Sequence, residues 1–133
     1  MQFKDVIVNP EVLKHLMAEV KLDRVSHAQM FLGPEGAGKL PLALAFAQYL
    51  LCDAPVKKDA CGECPHCLKA NAYSHPDIHF VYPVVVSKTN KVATSDDLRS
   101  EWNDILIKQK YFNLDGWLDK TEGTGKNPII GVD

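Results

Sequence analysis

Residues Gly33-Pro34-Glu35-Gly36-Ala37-Gly38-Lys39 fit the phosphate-binding pattern G-x-x-x-x-G-K, and this loop constrains the fold more than any other segment. Such a loop has to join the end of a buried strand to the start of a helix. The flanks suit that context. Ala28–Leu32 is short and apolar and is expected as a strand, and Lys39–Leu51 is apolar nearly all round, as expected of a helix covered on most sides. The pattern fails at its last position. An intact loop carries Ser or Thr there as a Mg²⁺ ligand, whereas this chain has Leu40, followed by Pro41, which has no N–H to offer a phosphate. The chain has the form of a nucleotide site without part of its chemistry.

With 133 residues, 46% hydrophobic and 24% charged, the chain is expected to be one globular, soluble domain. A formal net charge of -2 argues against free-standing nucleic-acid binding, so DNA contact is expected only through an assembly. The polar start, Met1-Gln2-Phe3-Lys4-Asp5, lacks the apolar core of a secretory signal, and the run Leu42 to Leu51, broken by Gln48, is too short to span a bilayer. A cytoplasmic location and no membrane association are expected.

Asn9-Pro10-Glu11 reads as a helix start, and Val12, Leu13, Leu16, Met17 and Val20 then form one apolar stripe, expected to pack in the core. A short helix is expected from Pro65 to Tyr73 and a strand over Ile78–Tyr82. After the loop Lys88-Thr89-Asn90-Lys91, a helix capped by Thr94 or Ser95 is expected to run to about Lys110, with Leu98, Trp102, Ile105 and Leu106 on its apolar face. Lys120–Asn127 reads as a polar linker.

Cys52, Cys61, Cys64 and Cys67 follow the spacing C-x8-C-x2-C-x2-C. Four thiolates complete a tetrahedral Zn²⁺ shell and leave no position for substrate, so the expected metal is structural. Gly62 permits a tight turn between the first two closely spaced cysteines. An iron–sulfur cluster and disulfides are the alternatives, and His66 and His75 are possible substitute ligands.

Ser26-His27-Ala28-Gln29-Met30-Phe31-Leu32, the loop Gly33–Lys39, the four cysteines and Ser74-His75-Pro76-Asp77 occur in an order that resembles the N-terminal AAA+ domain of bacterial clamp-loader subunits, the gamma/tau and delta-prime subunits of DNA polymerase III. The resemblance covers about Phe3 to Pro83, with a weaker echo at Lys126–Asp133. It implies an α/β fold, a truncated P-loop NTPase (AAA+) three-layer architecture with a small zinc-binding insertion and an incomplete sheet. Residues 1–133 would be the N-terminal part of that domain, 52–67 its embedded zinc module and 84–126 an insertion. The degraded loop resembles delta-prime, a non-catalytic subunit of the assembly that loads the sliding clamp on DNA during replication; an ATP-binding gamma/tau-like ATPase is the alternative.

By the same resemblance, Val6, Ile7, Gly33, Gly36, Gly38 and Lys39 would form a degenerate nucleotide site, with Val6 and Ile7 beside the base. Cys52, Cys61, Cys64 and Cys67 would hold zinc. Where the family usually has Gly-Gln this chain has Val8-Asn9. Zinc is the implied cofactor, ATP is a doubtful one, and no ATPase activity is expected from the chain alone. The implied partners are other clamp-loader subunits of the DNA polymerase III holoenzyme and the sliding clamp. The family's sheet order, 5-1-4-3-2, separates strands 1 and 2, and the Walker B strand, sensor and lid would follow Asp133. The chain is therefore expected to be a piece of a longer protein that self-associates through unpaired edges.

Overall fold

The computed structural model describes residues 1–89 and 92–131. Asn90 and Lys91 of the expected loop, and Val132 and Asp133 of the C-terminal echo, lie outside the described residues. The chain forms two compact units, Met1–Ile78 and His79–Asp133.

In the first unit, a 3-10 turn over Phe3–Asp5 precedes α1 (Pro10–Lys21), α2 (Lys39–Leu51) and α3 (Pro65–Asn71). Asn9 caps α1 as its sequence suggests, its Oδ1 accepting from the Glu11 N–H at 2.9 Å. The apolar stripe of α1 is covered less than expected: Leu16 is buried, whereas Val12 is 41% exposed. The α2 helix behaves as its composition demands, with Leu42, Leu44, Ala45, Phe46 and Gln48 buried and Leu50 the exposed residue among its thirteen. It packs against α3 and against the N-terminal 3-10 turn, where the Phe3 and Tyr49 rings meet at 5.5 Å.

The α/β expectation is corrected. Among the described residues there is no strand, and the extended pairings are the isolated bridges Val56–Asp59, Val84–Ile129 and Ser87–Val92. Neither Ala28–Leu32 nor Ile78–Tyr82 is a strand. A strand exists through the ladder hydrogen bonds of a neighbour, and apolar, β-prone composition supplies none by itself. What remains of the expected architecture is the turn and the helix that follows it. Met30 and Leu32 are 80% and 82% exposed in consequence.

The second unit contains a 3-10 turn over Ser95–Leu98, α4 (Arg99–Lys108) and α5 (Leu114–Lys120). The Thr94 and Asp97 side chains exchange hydrogen bonds with each other's backbone and start the first of these. Its core is aromatic. The Tyr82 and Trp102 rings stack at 4.1 Å, and Trp117 stands edge-on to both at 5.1 Å. Ser95 Oγ accepts from the Tyr82 N–H and donates to the Tyr82 carbonyl, and the Tyr82 hydroxyl donates to the Ser95 carbonyl at 2.6 Å. The Trp117 indole N–H donates to the Pro83 carbonyl at 2.7 Å. The segment after α5 is a folded turn where a linker is expected: Gly123 is buried and its N–H donates to the Leu118 carbonyl at 2.7 Å.

Candidate functional site

Both motifs of the sequence fall in the first unit, at opposite ends of α2. At its start, Gly38 takes the left-handed conformation, φ 76°, which a side chain disfavours and which turns the chain into the helix. Gly36 does the same at φ 77°. The loop lines a groove of about 550 Å³ with Ile7, Asn9, His15, Glu19, Met30 and Lys39.

Of the expected nucleotide residues, the groove gathers Ile7, Gly33, Gly38 and Lys39. Val6 is buried at 8% exposure and lies outside that lining, as does Gly36. Lys39 Nζ donates to the Gly33 and Pro34 carbonyls, both at 2.7 Å, so the loop's cation is folded onto the loop itself. Leu40 and Pro41 occupy the second and third positions of α2, where a metal-binding hydroxyl and a further N–H would stand, and Pro41 is buried. An acidic group faces the same groove: Glu19 accepts from Gln29 Nε2 at 2.5 Å and pairs with His15 Nε2 at 3.0 Å.

At the other end of α2 the chain leaves the helix at Cys52 and returns through Cys61, Cys64 and Cys67. All four sulfurs lie within 4.8 Å of one another, and those of Cys61 and Cys67 are 3.8 Å apart. Tetrahedral zinc with metal–sulfur bonds of about 2.3 Å has sulfur–sulfur edges of about 3.8 Å, so the donor set fits that ion in identity, number and spacing. The surrounding N–H groups point at sulfur. Cys52 Sγ accepts from the Cys61 N–H at 3.2 Å, Cys61 Sγ from the Cys64 N–H at 3.3 Å, and Cys64 Sγ from the Cys67 N–H at 3.4 Å. Donation from the Glu63 and Cys64 N–H groups lowers the Cys61 pKa to about 6, which favours the thiolate that a metal requires. Burial instead pushes the Cys67 thiol up to about 12. A cation held at the centre of the four would supply the opposite charge that such a buried sulfur lacks.

The cysteine segment is tied to the rest of the unit by Asp59, which the sequence did not flag, and by Gly62, His66 and His75, which it did. The Asp59 carboxylate accepts from the Phe3 and Lys4 N–H groups at 2.9 and 3.0 Å. Gly62, at φ 81°, passes so close to Gln2 that an added Cβ would lie 3.0 Å from its Oε1. His66 is half-buried and its Nδ1 lies 2.7 Å from Nε2 of His75, which is 1% exposed. The Asp77 N–H donates to His75 Nδ1 at 3.1 Å, so the His75 proton sits on Nε2 and points at His66. Neither histidine joins the four sulfurs as a ligand group. The histidines thus join the start of α3 to the segment that follows it, and the tetrathiolate set stands without them.

No helix among the described residues is long and apolar enough to cross a membrane. Comparison with known proteins gives a consistent picture. The chain is 37% identical over 76 residues to the DNA polymerase III subunit delta' of Bacillus subtilis, covering 57% of this chain and 23% of that protein. It is 40% identical over 73 residues to the subunit delta' of Pseudomonas aeruginosa, covering 55% and 22%. It is also 28% identical over 100 residues to the DNA polymerase III subunit tau of B. subtilis, covering 75% and 17%. The chain therefore aligns with less than a quarter of the length of these relatives. No solved structure matches it. The family model described as "DNA polymerase III, delta subunit" matches residues 8–112, a span that holds the glycine-rich loop, all four cysteines and α4. The chain belongs to that DNA polymerase III subunit family.

Proposed function

We propose that this chain is the P-loop part of a delta-prime-like, non-catalytic clamp-loader subunit that helps load the sliding clamp on DNA. The observation that carries the reading is the state of the loop. Its one lysine is committed to the Gly33 and Pro34 carbonyls, and the next two residues offer neither a metal ligand nor an N–H. In this reading Gly33–Lys39 is a scaffold turn. Val6, Ile7, Gly36 and the other glycines of the site keep their places without supporting turnover.

Cys52, Cys61, Cys64 and Cys67 hold a structural Zn²⁺, the second element of the proposal. Their spacing and shared N–H donors support it. The ion contributes a cross-link between the end of α2 and the start of α3, and the chain's own N–H groups hold the thiolates in place for it. The partners are other clamp-loader subunits and the clamp, with DNA reached through the assembly. The location is cytoplasmic. Exposed Met30 and Leu32 give the isolated chain apolar surface that favours self-association. Residues 84–126 act as an insertion whose Trp102 and Trp117 pack with Tyr82.

Calorimetric titration with ATP in the presence and absence of Mg²⁺ tests the first element. No Mg²⁺-dependent binding at micromolar nucleotide is expected. Tight, Mg²⁺-dependent ATP binding would overturn the non-catalytic reading in favour of a gamma/tau-like ATPase. Metal analysis of the purified chain is expected to give one zinc per chain; iron, or no metal with oxidised cysteines, would remove the second element. Chelation of the zinc is expected to loosen 52–67 and α3 together, because in such sites metal binding and local folding share one free energy.

A further inference from the structure

Between Cys52 at the end of α2 and Cys61, the chain makes a tight turn over Val56–Asp59. The Val56 N–H donates to the Asp59 carbonyl at 2.8 Å, and the Asp59 N–H to the Val56 carbonyl at 3.0 Å. Lys57 and Lys58 take left-handed φ values of 50° and 69°, as the central pair of such a turn must. Neither is glycine or asparagine, so the turn is strained and persists only where its surroundings hold it.

The Asp59 carboxylate supplies that hold. Its Oδ1 accepts from the Phe3 N–H at 2.9 Å and the Ala60 N–H at 2.8 Å, and its Oδ2 from the Lys4 N–H at 3.0 Å. Phe3 and Lys4 open the N-terminal 3-10 turn, where backbone N–H groups have no partner inside the turn. Asp59 therefore caps that turn from 56 residues further along the chain. Hydrogen bonds to an ionised carboxylate are about twice as strong as neutral ones. Two more contacts seat the same loop: Gln2 Nε2 donates to the Ala60 carbonyl, and Gly62 approaches the Gln2 side chain. The 3-10 turn is itself fixed to α2, because Phe3 is 4% exposed and its ring meets that of Tyr49. Ala60 is buried, and the next residue, Cys61, turns its N–H to Cys52 Sγ at 3.2 Å.

We propose that Asp59 is a positioning residue of the cysteine site: its carboxylate seats the loop that delivers Cys61 on the Phe3 and Lys4 amides, so that metal binding and the N-terminal segment stabilise each other. This rests on the tetrathiolate zinc reading given above. The ion holds the loop at Cys61 and the clasp holds it at Asp59, two residues earlier, so each reduces the disorder the other must overcome. The coupling is reciprocal: whatever the clasp adds to metal affinity, the metal adds to closure of the clasp. The clasped segment runs on to Ile7, which lines the groove at the other end of α2.

The test uses the full chain, labelled with ¹⁵N and kept reduced, with zinc bound and after chelation. Asp59→Ala is expected to weaken Zn²⁺ binding about tenfold in competition with a chromogenic chelator, while Co²⁺ still gives the parent's thiolate charge-transfer band. By reciprocity, chelation of the unmodified chain is expected to speed hydrogen exchange of the Phe3 and Lys4 amides by a similar factor. The interior amides of α1 are expected to keep their rates, which a general loosening of the unit would not allow. The exchange is measured on the unmodified chain and stands whether or not the variant folds. With the four-thiolate cobalt band present in the parent, any of three results overturns this inference and leaves the zinc reading intact. These are parent-like zinc affinity in Asp59→Ala, Phe3 and Lys4 exchange unmoved by chelation, or α1 amides quickened as much as those two. Absence of the cobalt band from the parent overturns both.

Discussion

Replacing Trp117 with alanine removes the centre of the second unit's core. Trp117 is 1% exposed, stands edge-on to Tyr82 and Trp102 at 5.1 Å, and donates its indole N–H to the Pro83 carbonyl at 2.7 Å. Truncating a buried tryptophan to alanine costs about 3–5 kcal/mol. A unit of this size commands a total stability of roughly 3–8 kcal/mol. Trp117→Ala is therefore expected to leave the second unit largely unfolded at 25 °C or close to its transition. Trp117→Phe keeps an aromatic ring and deletes the N–H, and is expected to lose about 1–2 kcal/mol and stay folded. Both tryptophans of the chain lie in the second unit, so in Trp117→Ala the fluorescence of Trp102 reports that unit alone. Its emission should shift to the red, with loss of the cooperative melt. All four cysteines lie in the first unit, so cobalt titration of the same variant should still give the thiolate charge-transfer band of the parent. A variant with unshifted Trp102 emission and a melt within a few degrees of the parent would refute the packing argument. Loss of the cobalt band together with the fluorescence shift would refute the expectation that the cysteine site survives the loss of Trp117.

The glycine-rich loop and the cap of the second unit give two further expectations. Gly38→Ala forces a side chain into a φ of 76° at the start of α2 and should cost about 1 kcal/mol, read as a lower urea midpoint at constant slope; an unchanged or higher midpoint would contradict the left-handed turn. Asp97 is held below its ordinary value of 3.8 by N–H donation from Thr94 and Ala93. Its folded pKa is depressed, so its contribution is fully present above the ordinary carboxylate value and is lost as pH falls through the lowered one. A Trp102 fluorescence titration from pH 6 to pH 2 should show this loss, and Asp97→Asn should flatten the acid limb; identical acid limbs in the two proteins would argue against the cap.

Much of the site was legible in the chain because its signals are local. Helix starts are set by side chains within a few residues, which is why Asn9-Pro10 and Thr94…Asp97 could be read directly, and why Lys39–Leu51 falls where its apolar run begins and ends. Cysteine spacing suggests which sulfurs can face one ion, and the four named by C-x8-C-x2-C-x2-C lie within 4.8 Å of one another. The missing hydroxyl at Leu40 and the missing N–H at Pro41 are properties of residue type and need no coordinates at all. Gln48 was visible as an oddity, a lone amide in an apolar run, but its burial and its contact with the Met1 amine were not. The α5 helix was not legible: Leu114–Lys120 is short, with Gly116 inside it, and it exists because Trp117 and Leu118 have a core to enter.

Tertiary structure alone decided the rest. Strand pairing is a relation between distant segments, so the β-prone composition of Ala28–Leu32 and Ile78–Tyr82 could name candidates and could not supply ladder partners. Which sulfur is buried depends on α2 packing against α3. The same holds for Lys39, which no pattern could show folded onto the Gly33 and Pro34 carbonyls, and for His66, whose Nδ1 lies against the buried His75. The sequence by itself determined the local chemistry: a loop without its metal ligand, four thiols at metal spacing, and helices with their caps. Burial and long-range hydrogen bonding, which depend on residues far apart in the chain, decided how each of those groups is charged, paired and held.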